Sequence, residues 1–389
     1  MTCLRFARIT SRQGDDELTV ESEYSPDSDK IMSVSLGPQH PGAGHFRIRL
    51  WLDGDYVVRS DPDPGYVHRG EEKMGEYRNY IQNVPHLERP EILDSSNTLF
   101  PYALGVDELM NSKIPPRGQY LRVIMSEINR IISHMYFLAI QGYFMGHTTM
   151  ITWCMGDRDF WIDLGERIGG ARVTFAYIIP GGVRNDIPSY AIDKGLKTCD
   201  WFDKRMDEYE KIFFDNPMVH QRSDKIGVLS RSDALALGAT GTVARASGLS
   251  FDVRKDEPYS SYEDFEFKTP VLLQGDSWAR AYVALLDMRE AVKIIRQALK
   301  KIPPGQVRLK LGPQPRVPAG EVYSRIEAAR GEYSYHIVSD GSPRPYRLKI
   351  GSPSFKNLRV LPHLLRNVHV ADIPVIYWGL NYWPVSADR

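Results

Sequence analysis

Two histidines, His40 and His45, lie in a nine-residue segment that is rich in proline and glycine and runs from Gly37 to His45. An imidazole can exchange a proton near neutral pH or bind a ligand. Proline stiffens such a segment, and glycine allows backbone angles that other residues avoid. Two interpretations are open from these residues alone: a loop that carries protons or binds a ligand, or a rigid turn whose histidines make only local hydrogen bonds.

The segment is predicted to join two strands. Residues 31–36 and 46–52 are rich in apolar side chains, and the second run alternates them with polar or mixed positions, as strands do. Asp53-Gly54 separates this run from a further apolar stretch that ends near residue 60, and Asp-Gly between such runs is a strong hairpin signal. Both histidines are therefore expected in a connection of a small N-terminal sheet.

Helices are predicted for most of the middle of the chain. The clearest one spans residues 118–141, where apolar residues recur at helical spacing from Leu121 to Leu138. Further helices are expected at residues 66–84, 158–166, 190–214, 230–237 and 277–301. Two more strands are expected around Asp340-Gly341, at residues 332–338 and 346–350. Strands, then helices, then strands indicate an α+β fold around one helical core.

Composition excludes several classes of function. The 389 residues carry 49 basic and 49 acidic side chains, so there is no electrostatic basis for binding nucleic acid. No apolar run reaches the ~18–20 residues of a membrane-spanning helix, and the first residues lack the pattern of a secretory signal. Cys3, Cys154 and Cys199 are too widely spaced for a structural zinc or a cysteine-held cluster. We therefore expect no metal held by this chain, and scattered thiols suit a reducing compartment.

Five motifs in register resemble one known family. From about residue 31 onward the chain is similar to the D-type subunit of the respiratory NADH:quinone oxidoreductase, complex I, which is related to the large subunit of nickel–iron hydrogenases. The motifs that carry the resemblance, together with the final Ala387-Asp-Arg389, are Gly37-Pro-Gln-His-Pro41, Gly65-Tyr-Val-His-Arg-Gly-Glu-Glu-Lys73, Gly170-Ala-Arg172, Pro180-Gly-Gly-Val183 and Val338-Ser-Asp-Gly-Ser-Pro-Arg-Pro-Tyr-Arg347.

The resemblance implies a hydrogenase-large-subunit-like fold, with a central long-helix bundle between small N-terminal and C-terminal β-sheet regions. Residues 1–30 would be an N-terminal extension and residues 31–389 a single domain. That domain would consist of a sheet at 31–60, a mainly helical core at 65–301 and a sheet region at 320–389. Hydrogenases of this kind hold nickel and iron with two Cys-x-x-Cys pairs, and neither Gly65 to Arg69 nor the final twenty residues contain cysteine. An active nickel–iron hydrogenase is therefore not expected.

The resemblance also implies site residues. The loop would line the cavity for a quinone headgroup, with the residues His40, Gly42, Gly44 and His45. Arg69 and His134 take positions that the family places beside the terminal iron–sulfur cluster of a neighbouring subunit. A cation and a titratable imidazole there would raise the reduction potential of the cluster and couple it to a proton. By residue type alone, Arg69 could equally be one charge on a charged helix, and His134 could be a core histidine.

Three positions in this pocket depart from the family pattern. The second loop histidine of the family corresponds to Gly44, and the imidazole comes one residue later as His45. A tyrosine that hydrogen-bonds the quinone corresponds to Ile92, and an aspartate that pairs with the histidine corresponds to Phe144. An apolar lining would suit a larger, naphthoquinone-like ring. Alternatively His147 supplies the polar partner of His45, or catalysis has weakened by drift.

The leading prediction is a peripheral-arm subunit of a proton-translocating respiratory dehydrogenase of the NADH:quinone oxidoreductase type. It would pass electrons from the terminal cluster of a partner to quinone, with His45 delivering a proton and His40 shaping the loop, and it would not be active alone. The electron donor stays open between NADH, a deazaflavin and ferredoxin. The alternative is a non-catalytic scaffold subunit of a related deazaflavin- or ferredoxin-dependent complex.

Cofactors and partners follow from the same resemblance. Quinone is the expected substrate, and NAD, FMN and iron–sulfur clusters are expected only in partner subunits, since no glycine-rich nucleotide loop follows a strand here. The expected partners are a small iron–sulfur subunit of type B, a subunit of type C, a ferredoxin-like subunit of type I and a quinone-channel membrane subunit of type H. Within that complex the chain would lie on the cytoplasmic face of the cell membrane as a peripheral protein.

Overall fold

A computed structural model describes residues 8–9, 20–21, 31–40 and 44–389. Gly42 and most of the predicted extension at residues 1–30 lie outside the described residues.

The strands of the described chain are short and pair with antiparallel neighbours. They are β1 (Arg8–Ile9), β2 (Val20–Glu21), β3 (Ile31–Leu36), β4 (Arg47–Asp53), β5 (Tyr56–Asp63), β6 (Ile178–Ile179), β7 (Gly182–Val183), β8 (Gly320–Ala328), β9 (Gly331–Ser339) and β10 (Arg347–Gly351). The two larger sheets have the orders β3-β4-β5 and β10-β9-β8. The predicted hairpins around the histidine loop, at Asp53-Gly54 and at Asp340-Gly341 are therefore confirmed, whereas β8 was not expected.

Helices fill the sequence between these sheets. They are α1 (Glu71–Tyr77), α2 (Asn83–Leu87), α3 (Ser95–Leu109), α4 (Pro116–Phe144), α5 (Thr148–Gly169), α6 (Ser189–Tyr209), α7 (Pro217–Ser223), α8 (Arg231–Ala236), α9 (Gly241–Ala246), α10 (Val253–Asp256), α11 (Ser277–Lys301), α12 (Pro353–Leu358), α13 (Leu361–Leu364), α14 (Ile373–Gly379) and α15 (Pro384–Ala387). Arg89–Asp94 forms a 3₁₀ helix, and Glu210–Phe214 continues α6 as a π-helical turn.

The centre of the molecule is α4, which is 29 residues long and mostly buried. Helices α3, α5 and α11 pack around it, and α6 packs on α5 and α11. Proline at the start of α4 fits because the first amides of a helix have no partner within it. Asp276 caps α11 by accepting a hydrogen bond from the N–H of Ala279 at 2.8 Å. The predicted α+β fold with a central long-helix bundle is confirmed.

The helix predicted for residues 66–84 is wrong in extent. α1 begins directly after Gly70, which has a left-handed φ of 66°, and it stops before Asn79. The Oδ1 atom of Asn79 accepts hydrogen bonds from the N–H groups of Ile81 at 3.1 Å and Gln82 at 2.8 Å. These local bonds compete with the hydrogen bonds of a helix, so the chain bends before α2 begins.

Two other helices differ from expectation. The helix predicted for residues 158–166 is the second half of the longer α5, which starts at Thr148. Helix α3 was not predicted, because Pro101 lies inside it and 12 of its 15 residues are buried. A helix that is buried on nearly all sides lacks the apolar stripe that identifies a surface helix.

A second apolar core joins the first sheet to the end of the described chain. Phe46, Ile48 and Leu50 pack in one cluster with buried residues between 358 and 387. The rings of Phe46 and Tyr377 stack with centroids 5.7 Å apart. This packing sets the histidine loop against residues 373–389, which contain α14 and α15 and are called the C-terminal segment below.

Candidate functional site

The histidine loop rests on the C-terminal segment. Gly44 and His45 both have left-handed backbone angles, with φ of 58° and 64°. A Cβ atom added to Gly44 would lie 3.5 Å from Cγ of Pro384 and 3.6 Å from the ring of Trp378, so this part of the backbone lies directly on those two side chains. The imidazoles of His40 and His45 are exposed. No described residue hydrogen-bonds the imidazole of His45.

Phe144 reaches the same tryptophan from the end of α4. Its ring stacks on Trp378 with centroids 5.7 Å apart and an interplanar angle of 13°. His147 lies three residues further on and is 8% exposed. Its Nδ1 accepts the N–H of Met150 at 3.1 Å, and its ring meets Phe213 edge-on at 5.4 Å. Phe144 therefore lies beside the loop, while His147 caps α5 and has only its Nε2 left for another partner.

Ile92 belongs to the 3₁₀ helix that leads into α3, and it is 36% exposed. The preceding residue, Glu91, is fully buried and forms an ion pair with Arg330. Glu91 also accepts a hydrogen bond from Ser386 at 3.0 Å. Because Ser386 and Pro384 lie in the same short helix, α15, the helix that supports Gly44 also anchors the neighbour of Ile92.

Arg69 is exposed and lies in the segment before α1. This segment is tied to the C-terminal segment by two contacts of Asp388. The N–H of Val67 donates to Oδ2 of Asp388 at 3.0 Å, and Nδ1 of His68 lies 2.8 Å from the Asp388 carbonyl oxygen. Four separate stretches of sequence therefore meet on the C-terminal segment. We call this region the corner and define it by His40, Gly44, His45, Arg69, Ile92, Phe144 and residues 373–389.

His134 does not face the corner. It is fully buried in α4, and its Nε2–H donates to Oδ2 of Asp287 in α11 at 3.1 Å, while its Nδ1 has no hydrogen-bond partner in the described chain. Burial lowers the pKa of His134, and Asp287 only partly offsets this, so the imidazole is neutral at neutral pH. Its neighbour Ser133 accepts a hydrogen bond from Arg330 at 2.7 Å and thereby links α4 to the corner.

A group of fully buried charges surrounds His134. Asp287 binds Arg254 at 2.8 Å and Arg245 at 3.0 Å, and Arg130 lies 3.8 Å away. Burial disfavours the ionised form of Asp287, but Arg245 and Arg254 outweigh it and hold the pKa of this carboxyl well below its usual range. These ion pairs join α4, α9, α10, α11 and β8. We call the group the bundle charge cluster; its members are Glu127, Arg130, His134, Arg245, Asp252, Arg254, Asp287 and Glu327.

The bundle charge cluster was missed in the sequence, although one signal was present. Glu127, Arg130 and His134 recur at intervals of three and four residues in a helix that is otherwise apolar on that side. Side chains at such spacing share one helix face. Polar residues on the buried face of a helix require partners from other elements, and those partners could not be identified from the sequence.

Comparison with known proteins assigns the family. A family model described as "Respiratory-chain NADH dehydrogenase, 49 Kd subunit" matches residues 145–314 and 310–389. The chain is 38% identical to a D-type subunit, numbered 2, of the NADH-quinone oxidoreductase of Koribacter versatilis, over 93% of this chain and 96% of that protein. This chain belongs to the 49 kDa, or D-type, subunit family of respiratory NADH dehydrogenases.

Other members of the 49 kDa subunit family match over similar lengths. "NADH-quinone oxidoreductase subunit 4" of Thermus thermophilus is 37% identical over 92% of this chain and 94% of its own length. The mitochondrial 49 kDa subunit of Neurospora crassa NADH-ubiquinone oxidoreductase is 38% identical over 92% of this chain and 80% of its own length. The chain is therefore a subunit of an oxidoreductase complex of the respiratory type.

A solved structure supports the hydrogenase-large-subunit-like fold of this 49 kDa family member. A chain of the membrane-bound sulfane sulfur reductase, an archaeal respiratory membrane complex, superposes with a TM-score of 0.89 and 33% identity. The match covers 94% of this chain and 100% of that chain.

Two further properties concern the described residues of this family member. No helix among them is long and apolar enough to cross a membrane, and they contain no group of three or more His, Cys, Asp or Glu side chains arranged to hold a metal ion. A cavity of about 320 Å³ lies between α3 and α4, beside Asp107 and Arg122, and another of about 180 Å³ lies beside Tyr77 and Tyr346. Neither cavity is lined by residues of the corner. The corner is therefore defined by the contacts and the chemistry of its residues and not by one of these cavities.

Proposed function

We propose that this chain lines the quinone headgroup site of a membrane-bound respiratory dehydrogenase and passes electrons to quinone from the terminal iron–sulfur cluster of a partner subunit. Family membership supports the respiratory complex. The observation that carries the site is the close approach of the Gly44 backbone to Trp378 and Pro384, where a Cβ atom would already be in van der Waals contact with both. It brings the loop to the segment that Phe144 contacts directly and that the neighbours of Arg69 and Ile92 contact through Asp388 and Ser386.

His45 is the proton-delivering group in this proposal, and His40 shapes the loop. Reduction of a quinone to a quinol takes two electrons, which come from the partner's cluster, and two protons. The imidazole of His45 is exposed and accepts no hydrogen bond from a described residue, so it can give one proton to a quinone oxygen and recover it from solvent. Gly42 would complete the loop, and His147 could turn its Nε2 toward His45.

The apolar residues of the corner favour a large quinone ring. Ile92 cannot donate a hydrogen bond, and Phe144, which is half-buried and stacks on the buried Trp378, adds an aromatic ring beside the loop. Offset stacking on such a ring is favourable for another aromatic ring. We therefore propose a naphthoquinone of the menaquinone type as the acceptor.

Arg69 and His134 would act on the partner's cluster from two different environments. Arg69 is exposed, so a docked partner could be placed directly against its guanidinium, and a fixed positive charge near a cluster raises its reduction potential. His134 would act from inside the bundle as a neutral imidazole whose Nδ1 has no described partner.

The remaining roles belong to partners. The small iron–sulfur subunit of type B would dock at the corner, with subunits of types C, I and H around it, and NAD, FMN and the clusters would be held by partners. The chain would lie on the cytoplasmic face of the membrane, and it would not be active alone. In the alternative, the chain would be a non-catalytic scaffold that only holds these partners together.

Reduction of sulfane sulfur is a second candidate activity. The solved structure that shares this fold comes from a sulfane sulfur reductase. In addition, Ile92 and Phe144 stand where the family has a tyrosine and an aspartate, so two polar groups of the quinone pocket are lost. Turnover of polysulfide without turnover of quinone by the purified complex would favour this candidate.

The test of the quinone proposal is His45→Ala in the purified complex, compared with His363→Ala, which removes another exposed histidine. Loss of a general acid should lower the rate of quinone reduction by about 10²–10⁴-fold, while the electron donor still reduces the clusters. The His363 variant should keep the wild-type rate. Wild-type quinone turnover in an assembled His45→Ala complex would contradict the role of His45. Clusters that are reduced normally in a wild-type complex that turns over no acceptor would favour the scaffold.

A further inference from the structure

Glu71 is a buried carboxyl group without a partner in the described part of the chain. It is the first residue of α1 and is 1% exposed. Neither of its carboxyl oxygens has a hydrogen-bond partner. Buried charges are normally paired, because an unpaired charge away from water is strongly destabilising. The surroundings of Glu71 therefore favour its neutral form, a carboxylic acid that carries a proton.

The other two glutamates of α1 have charged partners. Glu72 lies 3.1 Å from the ammonium group of Lys349 and also accepts the backbone N–H of Ile350 at 3.1 Å. Glu76 lies 2.7 Å from the ammonium group of Lys73. Both are members of ion pairs, and of the three glutamates of α1 only Glu71 is buried without an ion-pair partner in the described chain.

Charged residues of the corner act on Glu71. Burial raises the pKa of Glu71. Its own backbone N–H, then Arg69 and His68, oppose this rise, and Asp388 adds to it. From α2, His86 hydrogen-bonds only the backbone oxygen of Glu71, at 3.0 Å. The proton affinity of this carboxyl therefore depends on charges in the segment that contains Arg69 and in the C-terminal segment.

Two tyrosines lead from Glu71 toward the interior of the corner. Burial raises the pKa of Tyr335, and Tyr333 and Glu71 raise it further. The rings of Tyr333 and Tyr335 are 5.9 Å apart, and both hydroxyls are buried without a hydrogen-bond partner in the described chain. Tyr333 in turn lies near Glu91 and Ser386. Orphaned hydroxyl and carboxyl groups thus follow one another between Glu71 and α15.

We propose that Glu71, which lies beside the corner at the start of α1, holds a proton and exchanges it through the hydroxyls of Tyr335 and Tyr333. This inference rests on the proposed function. Quinone takes two electrons from the partner's cluster and two protons, of which His45 supplies one and Glu71 the other. Glu71 changes from carboxylic acid to carboxylate and regains a proton from solvent. Each tyrosine gives up one proton and accepts one, so its charge is unchanged at the end.

The first test detects the proton directly. Infrared spectra of the assembled complex at neutral pH should contain a C=O stretching band of a neutral carboxylic acid that is absent from Glu71→Gln. The band should remain in Glu263→Gln, which removes an exposed carboxylate. It should also remain in His45→Ala. A Glu71→Gln complex with the full set of wild-type bands overturns the proposal, whether the acceptor is quinone or another molecule.

The second test measures the use of the proton. Glu71→Gln should lower kcat for quinone reduction by roughly 10²-fold at unchanged KM and should alter the dependence of kcat on pH. Tyr335→Phe should lower kcat as well, and Glu71→Asp, which keeps a carboxyl group, should retain part of the activity. A pH profile of Glu71→Gln identical to that of the wild type overturns the role in turnover. The infrared band does not depend on the acceptor. If the acceptor is not quinone, the first test therefore still decides whether Glu71 holds a proton.

Discussion

The corner and the bundle charge cluster contain the same types of residue in opposite surroundings. In the corner, His45 and Arg69 are exposed, and the imidazole of His45 has no described hydrogen-bond partner. In the bundle charge cluster every member is fully buried, and the charged members pair with opposite charges around Asp287, which also accepts a hydrogen bond from the neutral His134. Exposed charged groups can change partners at little cost, whereas a buried pair resists any change. The corner is therefore suited to exchange, and the bundle charge cluster is suited to holding helices in place.

Removal of the central carboxylate should produce the largest effect. Asp287→Ala leaves the guanidinium groups of Arg245 and Arg254 short of a partner inside the bundle, and breaking a buried pair in this way costs about 3–5 kcal/mol of unfolding free energy. Thermal unfolding and the yield of the assembled complex measure this loss. Asp159→Ala removes an exposed partner of Arg172 and should cause little measurable loss. Equal stability of the two variants would show that the cluster is not structural.

Two buried groups, His134 in the bundle charge cluster and Glu71 beside the corner, should change the free energy of unfolding with pH in opposite directions. The folded pKa of His134 lies below the unfolded value of about 6.5. Below that pH the unfolded chain binds a proton that the folded chain does not, so stability is lost as the pH falls from 6.5 toward the folded pKa. His134→Gln keeps a donor for Asp287 and should reduce this loss by about 1.4 kcal/mol for each pKa unit of the shift.

Glu71 provides the opposing case for the same measurement. Its folded pKa is raised above the ordinary glutamate value of 4.5, so its contribution to stability is complete below that pH and is lost as the pH rises through the folded pKa. The free energy of unfolding, measured as a function of pH, should therefore differ from the wild type mainly at acid pH for His134→Gln. For Glu71→Gln it should differ mainly toward neutral pH. Parallel curves for both variants would mean that neither group is perturbed by the fold.

The smallest expected effect is a tighter binding of quinone when a hydrogen-bond donor is added to the corner. Ile92→Tyr adds a hydroxyl where the resemblance predicts a quinone-binding tyrosine, and one hydrogen bond is worth about 0.5–1.5 kcal/mol, or roughly 2–12-fold in KM for quinone. Ile92→Phe adds the ring without the hydroxyl and is the matched control. An identical KM for both variants would place this side chain away from the quinone oxygen.

The fold could be predicted where local signals agree. The hairpin at Asp53-Gly54 and the stripe of α4 needed only nearby residues, and the structure confirms both. The break at Asn79 depended on side-chain hydrogen bonds to the backbone, which compete with a helix by small free-energy differences that apolar spacing does not report. Helix α3 lacked a stripe because it is buried on almost every side.

The location of the candidate site could be predicted better than its contacts. The resemblance assigned the loop and Arg69 to one site. In the structure the loop and the segment that contains Arg69 both lie on residues 373–389, which the sequence did not assign to that site. The partners of His134 could not be predicted, because Asp287 is 153 residues away in the sequence. Nothing near Glu71 in the sequence distinguishes it from Glu72, since the difference lies in cations that β10 supplies to one and not to the other.

The packing of the first sheet on the C-terminal segment also determines when this protein can finish folding on the ribosome. Phe46 and Ile48 leave the ribosome about 310 residues before their partners beyond residue 358. At ~5–20 residues per second, this gap corresponds to ~15–60 s. During that time the hairpin presents an apolar face without its cover, which is a hazard for aggregation. The corner thus cannot form before residues 373–389 have left the ribosome, and a partner that docks there must wait for these residues.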